Sequence, residues 1–203
     1  MMTEARPVTP PTDPPSAAVL SLSTAYQASR ALYVAAKLGL PDLLADGPRS
    51  VDDLAAAGGT HAPSLRRLLR ALAAFGVFAE DEDGRFALGP LGGCLRADAP
   101  GSVRALVLMW GDDDFWRTWG ALEHCVRTGE SAAKHLFGAE DAFARYAADR
   151  RLGAVFNAGM TVLSATTAAA VVAAYDFSGL SRVVDERTVM PALNTAPSRG
   201  SAA

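Results

Sequence analysis

SVDDLAAAGGTHAPSLRRLLRALAAFGVFAEDEDGRFALGP, residues 50–90, is the stretch on which the fold turns. Ser50 followed three places later by Asp53 is a capping-box signal, and it opens a short helix over Val51–Ala57 that Gly58 and Gly59 stop. Pro63 stands where a first-turn proline is tolerated, because its missing N–H would have had no helical partner. Leu65, Leu68, Leu69 and Leu72 then make one apolar stripe that ends before Gly76. VFAE and RFAL are short β-prone runs separated by Asp81–Gly84, a hairpin signal. Helix, turn, helix, hairpin is the order of a winged helix.

Working outward toward the N-terminus, Val19, Leu22, Tyr26, Ala31, Val34 and Leu38 recur near helical spacing over residues 17–38, and Gly39 and Pro41 end the helix. This helix is apolar nearly all round, with Leu20, Leu22, Tyr26, Leu32 and Val34 on several faces, as an intertwined dimer would require. Residues 1–16 are Pro/Thr-rich without an apolar run and are expected to be a disordered lead-in with no signal peptide. Toward the C-terminus, one apolar helix is expected over Ser102–Trp110. A second is expected over Asp112–Arg127, with Phe115, Trp116, Trp119, Leu122 and Val126 facing inward and Gly129 ending it. A short helix over Asp141–Ala148 precedes a long one from Arg150 to about Tyr175, in which Gly153 and Gly159 each cost about 1 kcal/mol of helix propensity. Tertiary packing or a close ligand must compensate. RVVD, residues 182–185, reads as the start of a buried strand.

The chain has 203 residues, half of them hydrophobic, and a formal net charge of −3. That length supports a core without disulfides or metals, and Cys94 and Cys125 are expected to be free thiols in a reducing cytoplasm. No uninterrupted apolar run reaches about 18 residues, so no membrane partner is expected. Asp112, Asp113 and Asp114 are read as charge favouring a helix N-terminus, not as a metal site.

Taken together, LYVAAKLGLPDLLADGPRSVDDLAAAGG, PSLRRLLRALAAFGVF, GRFALGPLG, FWRTWGALEHCVRTGESAAKHLFG, AVFNAGM, VVAAYDFSGL and RVVD resemble, in order and spacing, bacterial polyketide and plant-type small-molecule O-methyltransferases. The resemblance spans about residues 17–185. It implies a mainly α fold: a winged-helix dimerisation domain over 17–100 and a helical substrate-lid segment over 101–180. It also implies the first strand, 181–185, of a Rossmann-like domain that would bind S-adenosylmethionine. The family's strand continues into a glycine-rich loop, whereas here Glu186–Val189 follows, and residues 186–203 are expected to be a disordered tail. None of His61, His124 and His135 lies where the family's base would stand, so no catalytic residue is assigned and the chain alone is expected to bind no cofactor and to be inactive.

By the same resemblance Trp110, Trp116, Phe156 and Met160 are candidates to line the acceptor pocket for an aromatic or polyketide-like hydroxyl compound, against the alternative of plain core packing. The same resemblance makes Asp185 the remnant of a cofactor site, against the alternative that it caps or faces solvent. Homodimerisation, or pairing as a non-catalytic subunit with a full-length methyltransferase, is the expected association. The rival is a winged-helix transcriptional regulator, for which Arg66, Arg67 and Arg70 would be the basic face. Glu80–Asp83 puts four acids on the wing where phosphate contacts would be needed, so nucleic acid is not the expected partner.

Overall fold

The computed structural model describes residues 14–176, 182–185 and 188–191. The chain divides into two compact units, residues 1–163 and 164–203. The lead-in over residues 1–13 lies outside the described residues.

The first unit opens with helix α1, Pro15–Lys37, which starts on a first-turn proline two residues earlier than the periodicity indicates. Only Tyr33, Ala35 and Ala36, near its C-terminal end, are buried. Gly39 adopts φ 67° and turns the chain into the single turn α2, Leu40–Leu43. Helix α3, Val51–Gly58, is capped by Ser50, whose hydroxyl accepts from the Asp53 amide at 3.1 Å and donates to its carboxylate at 2.7 Å. Gly59 closes α3 with φ 58°, the left-handed conformation that a side chain disfavours. Helix α4, Ala62–Ala73, buries Leu65, Leu69 and Leu72 of the expected stripe and leaves Leu68 half-buried.

Strands β1, Phe78–Glu80, and β2, Phe86–Leu88, pair antiparallel with Phe78 opposite Leu88 and Glu80 opposite Phe86. Arg49 adds a bridge to the outer edge, exchanging two 2.8 Å backbone hydrogen bonds with Phe86. No local pattern marks that pairing, because it joins residues 37 positions apart. The core lies beneath these elements: Leu40, Leu44, Leu54, Leu69, Leu72, Phe78 and Phe86 are all at most 2% exposed. A 3₁₀ turn at Gly92–Leu95 leads into α5, Arg104–Gly111, which lies across α1.

The helix expected over Asp112–Arg127 is two helices, α6, Asp113–Gly120, and α7, Leu122–Thr128. The break falls at Gly120 and Ala121, where glycine lowers the cost of leaving the helix. The expected inward stripe is also corrected. Trp119, Leu122 and Val126 are 70%, 50% and 78% exposed, because among the described residues no element of this unit lies across that face. A further helix, α8, Ala132–Phe137, was not visible in the periodicity; Ser131 caps it through the Lys134 amide. Helix α9, Ala142–Ala148, follows with Asp141 as its cap, and α10 covers Arg150–Ala174.

Tertiary packing compensates the glycines of α10. A Cβ at Gly159 would come 2.5 Å from Met109 Sδ, and one at Gly153 would come 2.9 Å from the Tyr146 carbonyl oxygen. By length and composition α10 is also apolar enough to cross a membrane, which a search for an unbroken apolar run does not detect. Its first half is nonetheless engaged by protein, with Leu152 4% exposed and Gly159 against Met109.

In the second unit, RVVD forms β3, Arg182–Asp185, but its partner is β4, Thr188–Pro191, in antiparallel register with Asp185 opposite Thr188. Two points of the sequence reading change here. Residues 188–191, placed in a disordered tail, are a strand. The strand expected to enter a parallel sheet is half of a hairpin, because a two-residue connection permits only antiparallel pairing, whereas a parallel one needs a crossover of a dozen or more.

Candidate functional site

Three successive carboxylates at the start of α6 organise the segment after α5. Asp112 caps α6 through the Asp114 amide at 3.2 Å and accepts from Arg151 of α10 at 2.8 Å. Asp113 pairs with Arg30 of α1 at 3.2 Å, and Asp114 with Arg145 of α9 at 3.0 Å. The helix-terminal role expected for this run therefore holds, and each carboxylate also ties α6 to a different helix. Those arginines stand 31 to 83 positions from their partners, so no spacing rule points to them.

Burial pushes the Asp112 carboxyl up, but the Arg151 guanidinium and the Asp114 amide outweigh it and hold the group below the usual carboxylate range. A depressed folded-state pKa adds stability that is present above the unfolded value and is lost as pH falls through the folded one. Asp112→Ala should therefore cost about 1 kcal/mol near neutrality, the worth of a helix cap beside an ion pair whose arginine is largely exposed. That cost should shrink as pH falls below about 4, where the unfolded carboxyl takes up its proton, and vanish only once pH falls through the lower folded-state value. Urea titrations of both proteins at about pH 7 and about pH 3 check this, and an equal difference at both would contradict it.

Next to this tether lies an aromatic cluster. Tyr146 of α9 stacks on Phe156 of α10 with ring centroids 4.5 Å apart and on Phe115 of α6 at 6.3 Å. Phe143 meets Tyr146 and Phe156 edge-on at 6.4 and 5.9 Å. Burial, then the negative charges of Asp114 and Asp112, raise the Tyr146 hydroxyl above its ordinary pKa, so it stays a neutral donor.

The four acceptor-pocket candidates are not gathered into one cluster. Phe156 joins the aromatic group, and Met160, half-buried, lies one turn further along the same helix. Trp116 is half-buried beneath the Arg30 guanidinium, 5.2 Å from its ring centroid, while Arg30 also covers Tyr33 at 4.7 Å. Trp110, at the end of α5, is 51% exposed. Sequence reasoning missed Tyr146 and Phe143; FARY in α9 was a short helix without a recognised role.

The remaining candidate, Asp185, ends β3 beside the link to β4. A Rossmann-type donor cradle needs a glycine-rich turn that opens a helix, so that bare backbone approaches the ligand. In the described residues a strand and not a helix follows β3. The residues present here do not fit S-adenosylmethionine, and no chemical step is assigned to them.

On the basic face of α4, Arg66 and Arg70 both bind Glu80 of β1, at 2.9 and 2.7 Å. The Arg70 hydrogen bond leads in holding the Glu80 carboxyl below its usual range. Two of the three arginines that could meet phosphate are thus already neutralised within the domain.

The chain is mostly helical with a two-stranded antiparallel sheet beside α4, and solved structures similar to it include methyltransferases. Residues 20–98 match the family model of the O-methyltransferase dimerisation domain. The phenazine O-methyltransferase PhzM of Lysobacter antibioticus is 41% identical over 172 residues, covering 85% of this chain and 50% of the relative. The crystal structure of LaPhzM superimposes with a TM-score of 0.76 over 83% of this chain and 50% of that one, at 41% identity. An O-methyltransferase from neocarzinostatin biosynthesis, solved with S-adenosylmethionine and 2-hydroxy-5-methyl naphthoic acid, matches at 30% identity and a TM-score of 0.64, covering 84% of this chain and 51% of that one. The chain spans about half the length of the curated relatives it matches.

Proposed function

We propose that these residues are the dimerisation and acceptor-lid half of an S-adenosylmethionine-dependent O-methyltransferase that acts on hydroxyls of aromatic, polyketide-like metabolites in the cytoplasm. In this reading α3, α4 and the β1–β2 hairpin are a winged-helix-like scaffold over about residues 17–100, and residues 101–180 are the lid. Donor binding and proton removal belong to a Rossmann-like domain outside the described residues.

One observation carries the dimer. In α1, Val19, Leu20, Leu22 and Tyr26 are 64%, 66%, 78% and 56% exposed, on a helix of 23 residues that buries only its last turns. Helix propensity alone holds such a length only marginally in water, so this face calls for a second copy. Sedimentation of the purified chain should give a dimer, and Leu22→Asp with Tyr26→Asp should give a folded monomer. A wild-type monomer would remove the support for this reading. Titration with S-adenosylmethionine should release no heat from this chain, and micromolar binding would show that the donor site does not need further residues.

In the lid, Phe156, Met160 and Trp116 offer flat, polarisable surface to a planar acceptor, and Trp110 lies at the rim. Leu163, Val171 and Val172, each about half exposed on α10, are the apolar surface that the donor domain would cover. The regulator reading is disfavoured because Glu80 occupies Arg66 and Arg70.

A further inference from the structure

We propose that His124, Glu130 and His135 form a binding site for one divalent transition ion of the zinc class. The three residues lie on a single clip between α7 and α8. His124 is in the first turn of α7, Glu130 follows the Gly129 turn, and His135 is on α8. One ligand atom from each lies within 4.8 Å of the other two. His124 Nε2 and Glu130 Oε2 are 2.9 Å apart, and the two imidazole rings stack with centroids 3.6 Å apart at 17°.

Zinc bonds of about 2.0–2.2 Å to imidazole nitrogen and carboxylate oxygen place neighbouring donors roughly 3–3.5 Å apart. The His124–Glu130 pair already has nearly that spacing. Parallel rings do not aim their lone pairs at one point, so the His135 ring must turn out of the stack to complete the set. It is exposed and free to do so. The backbone beneath is fixed. Gly129 holds φ 74°, Thr128 Oγ1 donates to the His124 carbonyl at 2.8 Å and accepts from the Glu130 amide at 3.1 Å, and Ser131 caps α8.

The surroundings leave the donors available. Lys134 is 3.7 Å from Glu130 Oε1, which leaves Oε2 for the ion. Arg127 is engaged by Glu123 at 2.8 Å, and Arg117 sits 5.0 Å from the Phe137 ring centroid. The cluster borders an open groove of about 620 Å³, so water can fill the remaining coordination positions. Two imidazoles and one carboxylate suit zinc, cobalt(II) or nickel(II) better than the all-oxygen preference of calcium or magnesium. On uptake, the metal takes the place of the hydrogen on His124 Nε2, which moves to Nδ1 in a neutral ring or leaves to solvent from a protonated one.

The test is titration of the full, tag-free chain with cobalt(II), followed by visible absorption, with displacement by zinc. One ion per chain with micromolar affinity is expected, lost by at least about tenfold in His135→Asn and in His124→Ala, and unchanged in His61→Ala. Zinc should also raise the thermal midpoint of the wild type and not that of His135→Asn, whose exposed position leaves the fold intact. No saturable absorption, or binding indifferent to both cluster variants, would overturn the site and leave the His124–Glu130 contact as a structural clip.

Discussion

Phe86→Ala is expected to remove about 3–5 kcal/mol of stability, a large part of what a small domain has. Phe86, on β2, is fully buried in the core with the leucines of α3 and α4, and its backbone N–H and carbonyl both bond Arg49. Truncation leaves a cavity that these fixed backbone partners cannot collapse to fill. Urea unfolding of the two proteins measures the difference, and a cost under about 1 kcal/mol would show that the hairpin does not close this core. Because α1 rests on α4, the same variant should weaken the dimer as well.

The second large effect is expected at Gly111→Ala. A Cβ there would overlap the ring and Cβ of Tyr33, where α5 crosses α1, and the Gly111 carbonyl accepts from Arg30 at 2.6 Å. Overpacking of this kind costs about 1–3 kcal/mol, more than the roughly 1 kcal/mol of helix propensity that alanine restores. Gly120→Ala is the matched control. It too ends a helix, but an added Cβ meets nothing within 4 Å, so it should be neutral or mildly stabilising. Equal melting temperatures for the two variants would contradict the close crossing of α1 and α5.

Together these two sites separate the loads in the first unit. Phe86 closes the core under the hairpin, whereas Gly111 sets how closely α5 approaches α1. The Asp112–Asp114 tether then fixes α6 against α1, α9 and α10, and the aromatic cluster forms behind it. The residues proposed to face the acceptor are thus positioned from a scaffold whose own exposed helix face is proposed to lie in the dimer.

The amino-acid sequence by itself determined the helices and hairpin of residues 50–90, because their signals are local: the Ser50 cap, the left-handed Gly59, the leucine stripe of α4 and the turn before Gly84. It also carried, in order and spacing, the segments on which the resemblance to O-methyltransferases rests. Other features were decided only in three dimensions. The apolar stripe of Trp119, Leu122 and Val126 indicated a buried face, yet periodicity states that a face is apolar and not what covers it. The three arginines that clasp Asp112–Asp114, the Tyr146–Phe156 stack and the Arg49 bridge join residues that are distant in the chain, and local spacing carries no information about them. His124, Glu130 and His135 are near neighbours in sequence but became a cluster only with α8, a helix too short to show a period. Residues 182–185 had a clear strand propensity, but which partner they take depends on chain geometry, and the short link to residues 188–191 selects the antiparallel one.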